Sequence, residues 1–568
     1  MPPVTRRDTL RLGGGALATL ALPACTGAPQ SYPAAPITGQ LVDVHAHLFN
    51  GTDVPVTTFL TRLVLKSYDE KACTLPPDKA FRTSGLIEDP TPLETLVQLL
   101  LDWLLSETPT ASAELAALKA DRNGSLARDR ARVRQLTEDR LTEFLSDPPD
   151  PTKSLRAARE DQLRAALRKE AGEASSFKTL RPPSDRAAAT TLLASRGRFG
   201  TLIRWVQLFF RSRHSLVQEL VAASRSWGRE PLMLVPLMVD YAHWLGQTTR
   251  SSPQDQVAVF GEIARRSAVP VHGMVAYDPL RAVFWKLGRH HRFKDCPEFD
   301  PLALCETALT EQGFLGLKLY PPMGFQATGN PRDDAAYPAA AVKALNAKGR
   351  LGVELDRAMA RAFDFCLRHD APMIAHANNS VAAGPGYGHR AEPRFWIDAL
   401  RDRPGLRLCL AHQGSFCWKA STPAGTTPPD RTSWEWTIGT YIRDNPGAHL
   451  YMDISYFSEL LGTAGQADYI AGQLIGWIRD CDPEVRHILF GTDWVMLGQE
   501  PGFQTYGSAV LAFLRDRCHL TQAQVERVMW QNAMRYLGLD HGKTRKRLLD
   551  FYGTRRPAWT RIPRFRMS

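Results

Sequence analysis

The sequence predicts an α/β protein in which eight parallel strands form a (β/α)8 TIM barrel, with a large helical insertion after the first strand. One observation is a series of eight short apolar runs, each bounded by polar or turn-forming residues. A second is the helical pattern between most of these runs, an alternation typical of parallel sheets. A third is that histidine, lysine or aspartate repeatedly lies at the end of a run. A doubly wound sheet alternates in the same way, but no glycine-rich phosphate-binding loop follows the first run.

The predicted strands follow the apolar runs in order along the chain: Leu41–Val44, Leu232–Val239, Val269–Ala276, Phe314–Tyr320, Pro372–Ala375, Leu406–Ala411, Leu450–Ile454 and His487–Phe490. Helices are predicted between later strands at Glu354–Leu367, Phe395–Arg401 and Asp468–Ile478. The barrel is therefore assigned to residues 40–50 and 230–540, and the long gap between its first two strands contains the insertion.

Residues 51–229 form this insertion, and their patterns are helical. Ala111–Leu145 places glutamate and arginine at i,i+4 spacing, which indicates a charged helix or a helix pair. Thr201–Ala223 has one strongly apolar face, which indicates a helix docked on the barrel. We interpret the insertion as a helical cap, with a separate binding domain as the alternative.

The net charge of +11 is concentrated near the C-terminus. Between Lys543 and Arg566 the chain has nine lysines and arginines against one aspartate. The rest of the chain is close to balance, which argues against nucleic acid as a partner. The basic tail, residues 541–568, is predicted to be solvated or to pack on the body, with contact to anionic lipid or an acidic partner as the alternative.

The first 25 residues resemble a bacterial export signal. Arg6 and Arg7 precede a weakly apolar run, Leu12–Leu22, and Cys25 follows at a position typical of lipoprotein cleavage sites, although Pro23 departs from that pattern. We therefore expect a twin-arginine signal, lipidation of Cys25, a tether over residues 26–39, and a periplasmic or membrane-anchored protein. The nine cysteines include no Cys-x-x-Cys pair, so no zinc ribbon or redox motif is indicated.

Residues that bind metals lie at the ends of several predicted strands. His45 and His47 are two residues apart, so both side chains point to the same side of the first strand. Two neutral imidazoles on one side form half of a zinc site. Later strands supply the other candidates, namely Lys318, His376, His412 and Asp493. Burying such groups is costly unless they have partners, so their repetition indicates one shared site.

The motifs DVHAHLF, GLKLYPPMGF, PMIAHANN, LAHQGSF and LFGTDW, with a closing helix VMWQNAMRYLGL, resemble the amidohydrolase superfamily and most closely its amidohydrolase-related branch. The resemblance covers about residues 41–49 and 232–539. It implies that the shared metal-site residues are His45, His47, His376 and Asp493. It also implies that His412 is either a ligand of a second metal ion or the residue that polarises the substrate.

These residues predict a metal-dependent hydrolytic chemistry. A divalent ion, expected to be Zn²⁺, lowers the pKa of a bound water toward about 7. Asp493 can accept the proton and deliver it to the leaving group, and His412 can donate to the carbonyl oxygen. Lys318 leaves the number of ions open, because it is either carboxylated between two ions, turned away, or used to hold an anionic substrate. We expect one tightly bound ion.

Loops beyond the strand ends supply further candidates. Arg390 follows the turn after the fifth strand and is predicted to face the substrate, as an Arg or His often does in related proteins. Asp240, His243, Tyr277 and Asp278 lie in loops near the second and third strands, where capping and loop hydrogen bonds are the favoured interpretation.

The favoured function is hydrolysis of a C–N or C–O bond in a small molecule, as in an amide, lactone or ester. Nonoxidative decarboxylation of an aromatic or unsaturated acid is the alternative, because the same branch contains such enzymes. A non-catalytic binding lipoprotein is the third interpretation, but it would predict the loss of a ligand, and every expected ligand residue is present.

Overall fold

A computed structural model describes most of the chain, and the export signal and Cys25 lie outside the described residues. The described ranges are 35–64, 92–122, 124–147, 155–174, 184–289, 293, 298–346, 349–379, 382–384, 386–414, 416, 431–462 and 464–561. None of the helices in this part of the chain combines the length and the apolarity needed to cross a membrane.

The described residues contain eight strands, and each coincides with a predicted one. They are β1 (Gly39–Ala46), β2 (Arg229–Pro236), β3 (Met274–Ala276), β4 (Gly316–Leu319), β5 (Met373–His376), β6 (Leu408–Ala411), β7 (Leu450–Asp453) and β8 (Ile488–Leu489). All pairings are parallel: β1 pairs with β2, and β3 to β8 form a six-stranded sheet in sequence order. Almost every strand residue is buried, which explains why the strands read as continuous apolar runs.

Backbone contacts also connect the two sheets at both of their edges. The bridges Leu234↔Val271 and Leu237↔Met274 join β2 to the segment that enters β3. At the other edge the amide of Val44 donates to the carbonyl of Phe490, immediately after β8, over 3.1 Å. The carboxyl ends of β1, β7 and β8 therefore lie close together, although more than 400 residues of sequence separate β1 from β7.

Helices follow most of the later strands, as the alternation predicts. The α-helices after β2 in the described residues are Ala242–Leu245, Pro253–Arg266, Pro279–Lys286, Pro301–Glu311, Ala339–Leu345, Leu351–His369, Pro393–Asp402, Trp434–Asp444, Ala464–Cys481, Trp494–Leu497, Tyr506–Ala512, Gln522–Glu526, Asn532–Tyr536 and Gly542–Tyr552. Several start with proline directly after an aspartate or serine cap, a sequence that prepares the first helical turn.

The segment between β1 and β2 is helical where it is described. Its α-helices are Val56–Thr58, which continues as a π-helix over Phe59–Val64, then Pro92–Leu104, Ala111–Lys119, Leu126–Ser146, Leu155–Ala174, Asp185–Ala194, Arg198–Leu208 and Arg213–Ser226. The charged stretch Ala111–Leu145 is thus a helix pair. The apolar stretch Thr201–Ala223 spans two helices, because Ser212 caps a new helix and its hydroxyl accepts a hydrogen bond from the amide of Ser215.

Polar contacts link this segment to the residues after β8 and link its helices to the loop after β1. The indole of Trp205 donates to the carbonyl of Val495 over 2.8 Å, just beyond β8. The guanidinium of Arg213 is fully buried and forms ion pairs with Asp53, in the loop after β1, and with Glu114. A buried salt bridge therefore links the loop that begins at His47 to two helices of this segment.

The described part of the basic tail packs on the body. Trp559 and Leu548 are fully buried. The guanidinium of Arg547 donates to the carbonyl of His369, and that of Arg555 donates to the carbonyl of Arg265. Both carbonyls lie at the C-terminal ends of helices, where unsatisfied acceptors and the helix dipole favour cations. Residues 562–568 lie outside the described part of the chain.

Candidate metal centre

The two histidines of the first motif have their tautomers fixed by acceptors on one side of each ring. Nδ1 of His45 lies 3.0 Å from a carboxylate oxygen of Asp453, and Nδ1 of His47 lies 3.0 Å from the carbonyl oxygen of Leu237. Each Nδ1 therefore carries the proton, and each Nε2 presents a lone pair. Burial lowers the pKa of His47 to about 3 and the pKa of His45 well below its usual value, so both rings are neutral at pH 7.

The carboxylate of Asp493 lies close to both of these lone pairs. Its Oδ1 lies 3.3 Å from Nε2 of His47 and 3.7 Å from Nε2 of His45. No donor among the described residues forms a hydrogen bond with that oxygen or with Nε2 of His45, and both atoms are buried. Three acceptors thus converge within 4.8 Å, an arrangement that is repulsive unless a cation lies between them.

The chemistry of this donor set fits a divalent metal ion. Two imidazole nitrogens and one carboxylate oxygen are the ligands of catalytic zinc sites, which keep a further position for water or substrate. The same set also suits other first-row ions, including Mn²⁺ and Fe²⁺. Without a metal, a proton can occupy the gap, and burial accordingly raises the pKa of Asp493 to about 8, against the opposing effect of Lys318.

Asp43 holds the two halves of this group together. Its carboxylate accepts hydrogen bonds from the amide of His45 and from the hydroxyl and amide of Thr492, the hydroxyl over 2.6 Å. The amide of Asp493 in turn donates to the carbonyl of His45 over 2.6 Å. The backbone of Asp493 is left-handed, with φ of +58°, and such a conformation persists only where neighbours enforce it.

Asp453 and Ser455 also belong to the site, and the sequence analysis missed both. Asp453 accepts from the amides of His412 and Ser455 at 3.0 Å each, in addition to facing His45. The hydroxyl of Ser455 donates to Asp453 over 2.5 Å and lies 3.0 Å from Nδ1 of both His45 and His412. The sequence contains a signal for Asp453, because this residue lies at the end of an apolar run like the other candidates, within the predicted strand Leu450–Ile454.

The structure places His412 and His376 beside the three-acceptor group. The ring centroid of His412 lies 4.5 Å from that of His45 and 4.6 Å from that of His376. The ring of His376 also stacks on Tyr320 at 4.3 Å. The predicted ligands therefore share one site, with His45, His47 and Asp493 forming the compact group and His376 lying beyond His412.

Lys318 is buried at the same end of the strands. Its Nζ has no hydrogen-bond partner among the residues that the structure describes. Burial lowers its pKa to about 8, while the carboxylates of Asp453 and Asp493 act in the opposite direction. A cavity of about 10 Å³ adjoins Lys318, and its wall contains the carboxylates of Asp240 and Asp278 as well as aromatic rings such as that of Tyr320.

Arg390 is not brought into this group. Its guanidinium donates to the carbonyls of Gly324 and Ala336. It also lies 4.1 Å from the ring centroid of Tyr387 and 5.0 Å from that of Tyr337. These contacts use the side chain to hold the loops after β4 and β5 together.

The other loop candidates form a buried network centred on Arg281, which the sequence analysis did not identify. Arg281 binds Asp240 through two hydrogen bonds of 2.6 and 3.1 Å and Glu298 through one of 3.0 Å. His243 lies 2.8 Å from Glu298. Asp278 caps the helix Pro279–Lys286, as predicted. These contacts give the loop residues structural partners.

Comparison with known proteins gives matches among solved structures. No protein-family model matches the chain, and no curated protein matches it. A putative metal-dependent hydrolase from Lactobacillus casei is 14% identical, with 71% of this chain and 90% of that chain covered and a TM-score of 0.34. A 4-oxalomesaconate hydratase from Rhodopseudomonas palustris is 12% identical, with 57% of this chain and 81% of that chain covered and a TM-score of 0.33. A 5-carboxyvanillate decarboxylase from Novosphingobium aromaticivorans, solved with manganese, is 12% identical, with 72% of this chain and 92% of that chain covered and a TM-score of 0.30.

Proposed function

We propose that this protein is a metal-dependent hydrolase that cleaves a C–N or C–O bond in a small molecule. The observation that supports the proposal most strongly is the convergence of Nε2 of His45, Nε2 of His47 and Oδ1 of Asp493. Buried acceptor atoms that face one another destabilise a structural core, because their desolvation costs free energy that no donor offsets.

The proposal includes a closed (β/α)8 barrel with residues 51–229 as a helical insertion. The bridges between β2 and β3 and the hydrogen bonds between β8 and β1 support closure. In such a barrel the residues after the strands form the active face. His47, His412 and Asp493 follow β1, β6 and β8, and His45 and His376 lie in the last two residues of their strands.

A divalent ion bound here would polarise the substrate and make water available as a nucleophile at neutral pH. Asp493 is placed to accept a proton from that water and return it to the leaving group. Asp453 keeps the proton of His45 on Nδ1 and so keeps Nε2 available.

The tautomer of His412 bears on its role. The hydroxyl proton of Ser455 is directed to Asp453, so the Ser455 oxygen is an acceptor for Nδ1 of His412. The carbonyl of Ser455 lies on the same side, 3.4 Å from Nδ1. Nε2 of neutral His412 then carries a lone pair, which favours its action as a metal ligand or a base over donation to a carbonyl oxygen.

The first test is metal content. Protein purified without chelators should contain at least one equivalent of a divalent metal by elemental analysis, and His45→Ala should lose most of it. His541→Ala, which changes an exposed histidine, is the control and should retain the parent content. Full retention of metal by His45→Ala would refute the site. A screen of lactones, esters and amides then identifies the bond that is cleaved.

Decarboxylation of an aromatic acid is a second candidate, and the observation that favours it is the buried ammonium group of Lys318 beside the metal-site residues. Its Nζ has no hydrogen-bond partner among the described residues and could pair with the carboxylate of an acid substrate. The two functions differ in their products, because a decarboxylase releases CO₂ and consumes no water. Measuring CO₂ release during turnover of aromatic acids distinguishes them.

A further inference from the structure

A second cavity lies between the helices of residues 51–229 and the segment that follows Asp493. Its volume is about 260 Å³. One wall comes from the helices Leu126–Ser146 and Arg198–Leu208, and the other from residues 498 and 500–504. None of the metal-site residues lines it.

The charged residues of this cavity are predominantly basic. Its wall contains Arg130, Arg134, Arg204 and Arg211 against Glu219 and Glu500, which leaves two positive charges in excess. This excess of positive charge contrasts with the body of the protein, where the numbers of basic and acidic residues are close to balance. Low-dielectric walls lined by one sign of charge raise the local concentration of ions of the opposite sign.

The acidic residues do not neutralise all four arginines. Glu219 pairs with both Arg130, over 2.8 Å, and Arg211. Arg134 and Arg204 form no ion pair with any residue in the described ranges. Arg204 donates to carbonyls at the end of the helix Asp185–Ala194, including that of Leu193. Arg134 is exposed and has no such role.

Arg211 adds a donor that lacks an acceptor. Its side chain is only 12% exposed, and its Nε forms no hydrogen bond with any described residue. Burial lowers the pKa of Arg211 even though Glu219 acts in the opposite direction. A buried donor of this kind normally has a partner, because leaving it unpaired costs free energy.

We propose that this cavity binds a compact dianion, in the form of a phosphate group or a dicarboxylate. Four arginines against two glutamates give the lining an excess of positive charge, although Glu170 acts on Arg204 and Asp129 acts on Arg211 from outside the lining. Arginine forks bind phosphate and carboxylate oxygens in pairs. The volume is below the roughly 300 Å³ at which drug-sized pockets begin, which restricts the ligand to a small ion or a short substituent. This site is independent of the proposed hydrolase activity, since it shares no residue with the metal centre.

The test uses the full-length protein with inorganic phosphate and succinate as probes, each titrated calorimetrically at constant ionic strength against a chloride reference. The parent should bind at least one probe saturably at a ratio near one per chain. Arg134→Gln should weaken that binding about ten-fold or more, the loss expected for a charge-assisted bond, whereas Arg134→Lys should weaken it less. Arg128→Gln is the matched control, because Arg128 is exposed on the same helix and does not line the cavity.

Arg134 is exposed, so we expect its replacement to leave the fold unchanged. Thermal unfolding and metal content should be unchanged in Arg134→Gln, so a loss of binding reports on the cavity. Loss with phosphate alone identifies a phosphate group, and loss with succinate alone identifies a dicarboxylate. The proposal is wrong if neither probe binds saturably, or if Arg134→Gln binds as tightly as Arg128→Gln.

Discussion

At the scale of single residues, the role of Asp493 depends on what lies between its carboxylate and the two imidazoles. An asparagine has nearly the same shape and keeps one oxygen as a ligand, but it cannot accept a proton. If Asp493 transfers the proton, Asp493→Asn should retain the fold and much of the metal while losing about 10²–10⁴-fold in rate. The acid limb of the pH–rate profile should lose the corresponding ionisation.

The control for this variant is Asp398→Asn, which changes an exposed carboxylate that pairs with Arg401. It should keep the parent rate and pH profile. A rate within a few-fold of the parent for Asp493→Asn, with the acid limb intact, would assign Asp493 to ligation alone. His412 would then be the first residue to test as the base.

The sequence predicts the metal-binding residues better than it predicts their supports. His45, His47 and Asp493 stand out because a polar group after an apolar run needs a partner. Asp453 gives the same signal, but its partner His45 is 408 residues away, and only the pairing of distant strands brings the two together. Lys318 is likewise identified by its position, whereas its unpaired Nζ is a property of the folded site.

At the scale of elements, the helix Arg213–Ser226 shows what hydrophobic periodicity omits. Its apolar face was predicted, but the start at Ser212 and the burial of Arg213 were not, since a pattern of apolar positions does not report on internal ion pairs. The guanidinium of Arg213 links the loop after β1 to the helix Ala111–Lys119 through Asp53 and Glu114.

Arg213→Leu should therefore destabilise the protein strongly. The substitution leaves two buried carboxylates without their cation, a change that costs about 3–5 kcal/mol. Arg225→Leu on the same helix is the control, because Arg225 is half exposed and pairs with Glu230 at the surface, where such pairs contribute about 0–1 kcal/mol. Chemical denaturation of the two variants measures the difference, and equal losses would contradict a buried-ion-pair role.

At the scale of the whole molecule, export and folding are predicted to involve separate parts of the chain. Arg6, Arg7 and Cys25 lie outside the described residues, and β1 begins at Gly39. Replacing both arginines by lysine should retain the protein in the cytoplasm, as judged by cell fractionation. Normal export of that variant would exclude the twin-arginine route. Cys25→Ser tests the lipid anchor separately, through membrane association.

The basic tail could be located in the sequence but not placed in the fold. Its cations bind backbone carbonyls of distant helices, such as that of His369, and no residue pattern marks those acceptors. The docking of Trp559 in a fully buried position also depends on surfaces that only the folded body provides. The described residues of the tail therefore make packing contacts with the body.

This docking makes the stability of the molecule depend on pH through His272. Nδ1 of His272 lies 2.7 Å from the carbonyl oxygen of Gly313, and Nε2 lies 2.5 Å from the hydroxyl of Tyr552 in the tail. Burial lowers the pKa of His272 to about 4, and the nearby cation of Arg555 acts in the same direction. In the unfolded chain the pKa of histidine is about 6.5.

Between these two pKa values the unfolded state binds a proton that the folded state does not, so the free energy of unfolding falls as pH falls. The contribution is fully present above about pH 6.5 and is lost toward pH 4, a difference of about 3 kcal/mol.

His272→Gln removes the titrating group, so the difference in the free energy of unfolding between parent and variant should shrink as pH falls through this window. Denaturant unfolding at several pH values measures that difference, with His541→Gln, an exposed histidine, as the control. Parallel stability curves for the parent and His272→Gln would show that His272 is protonated as readily in the folded protein as in the unfolded chain.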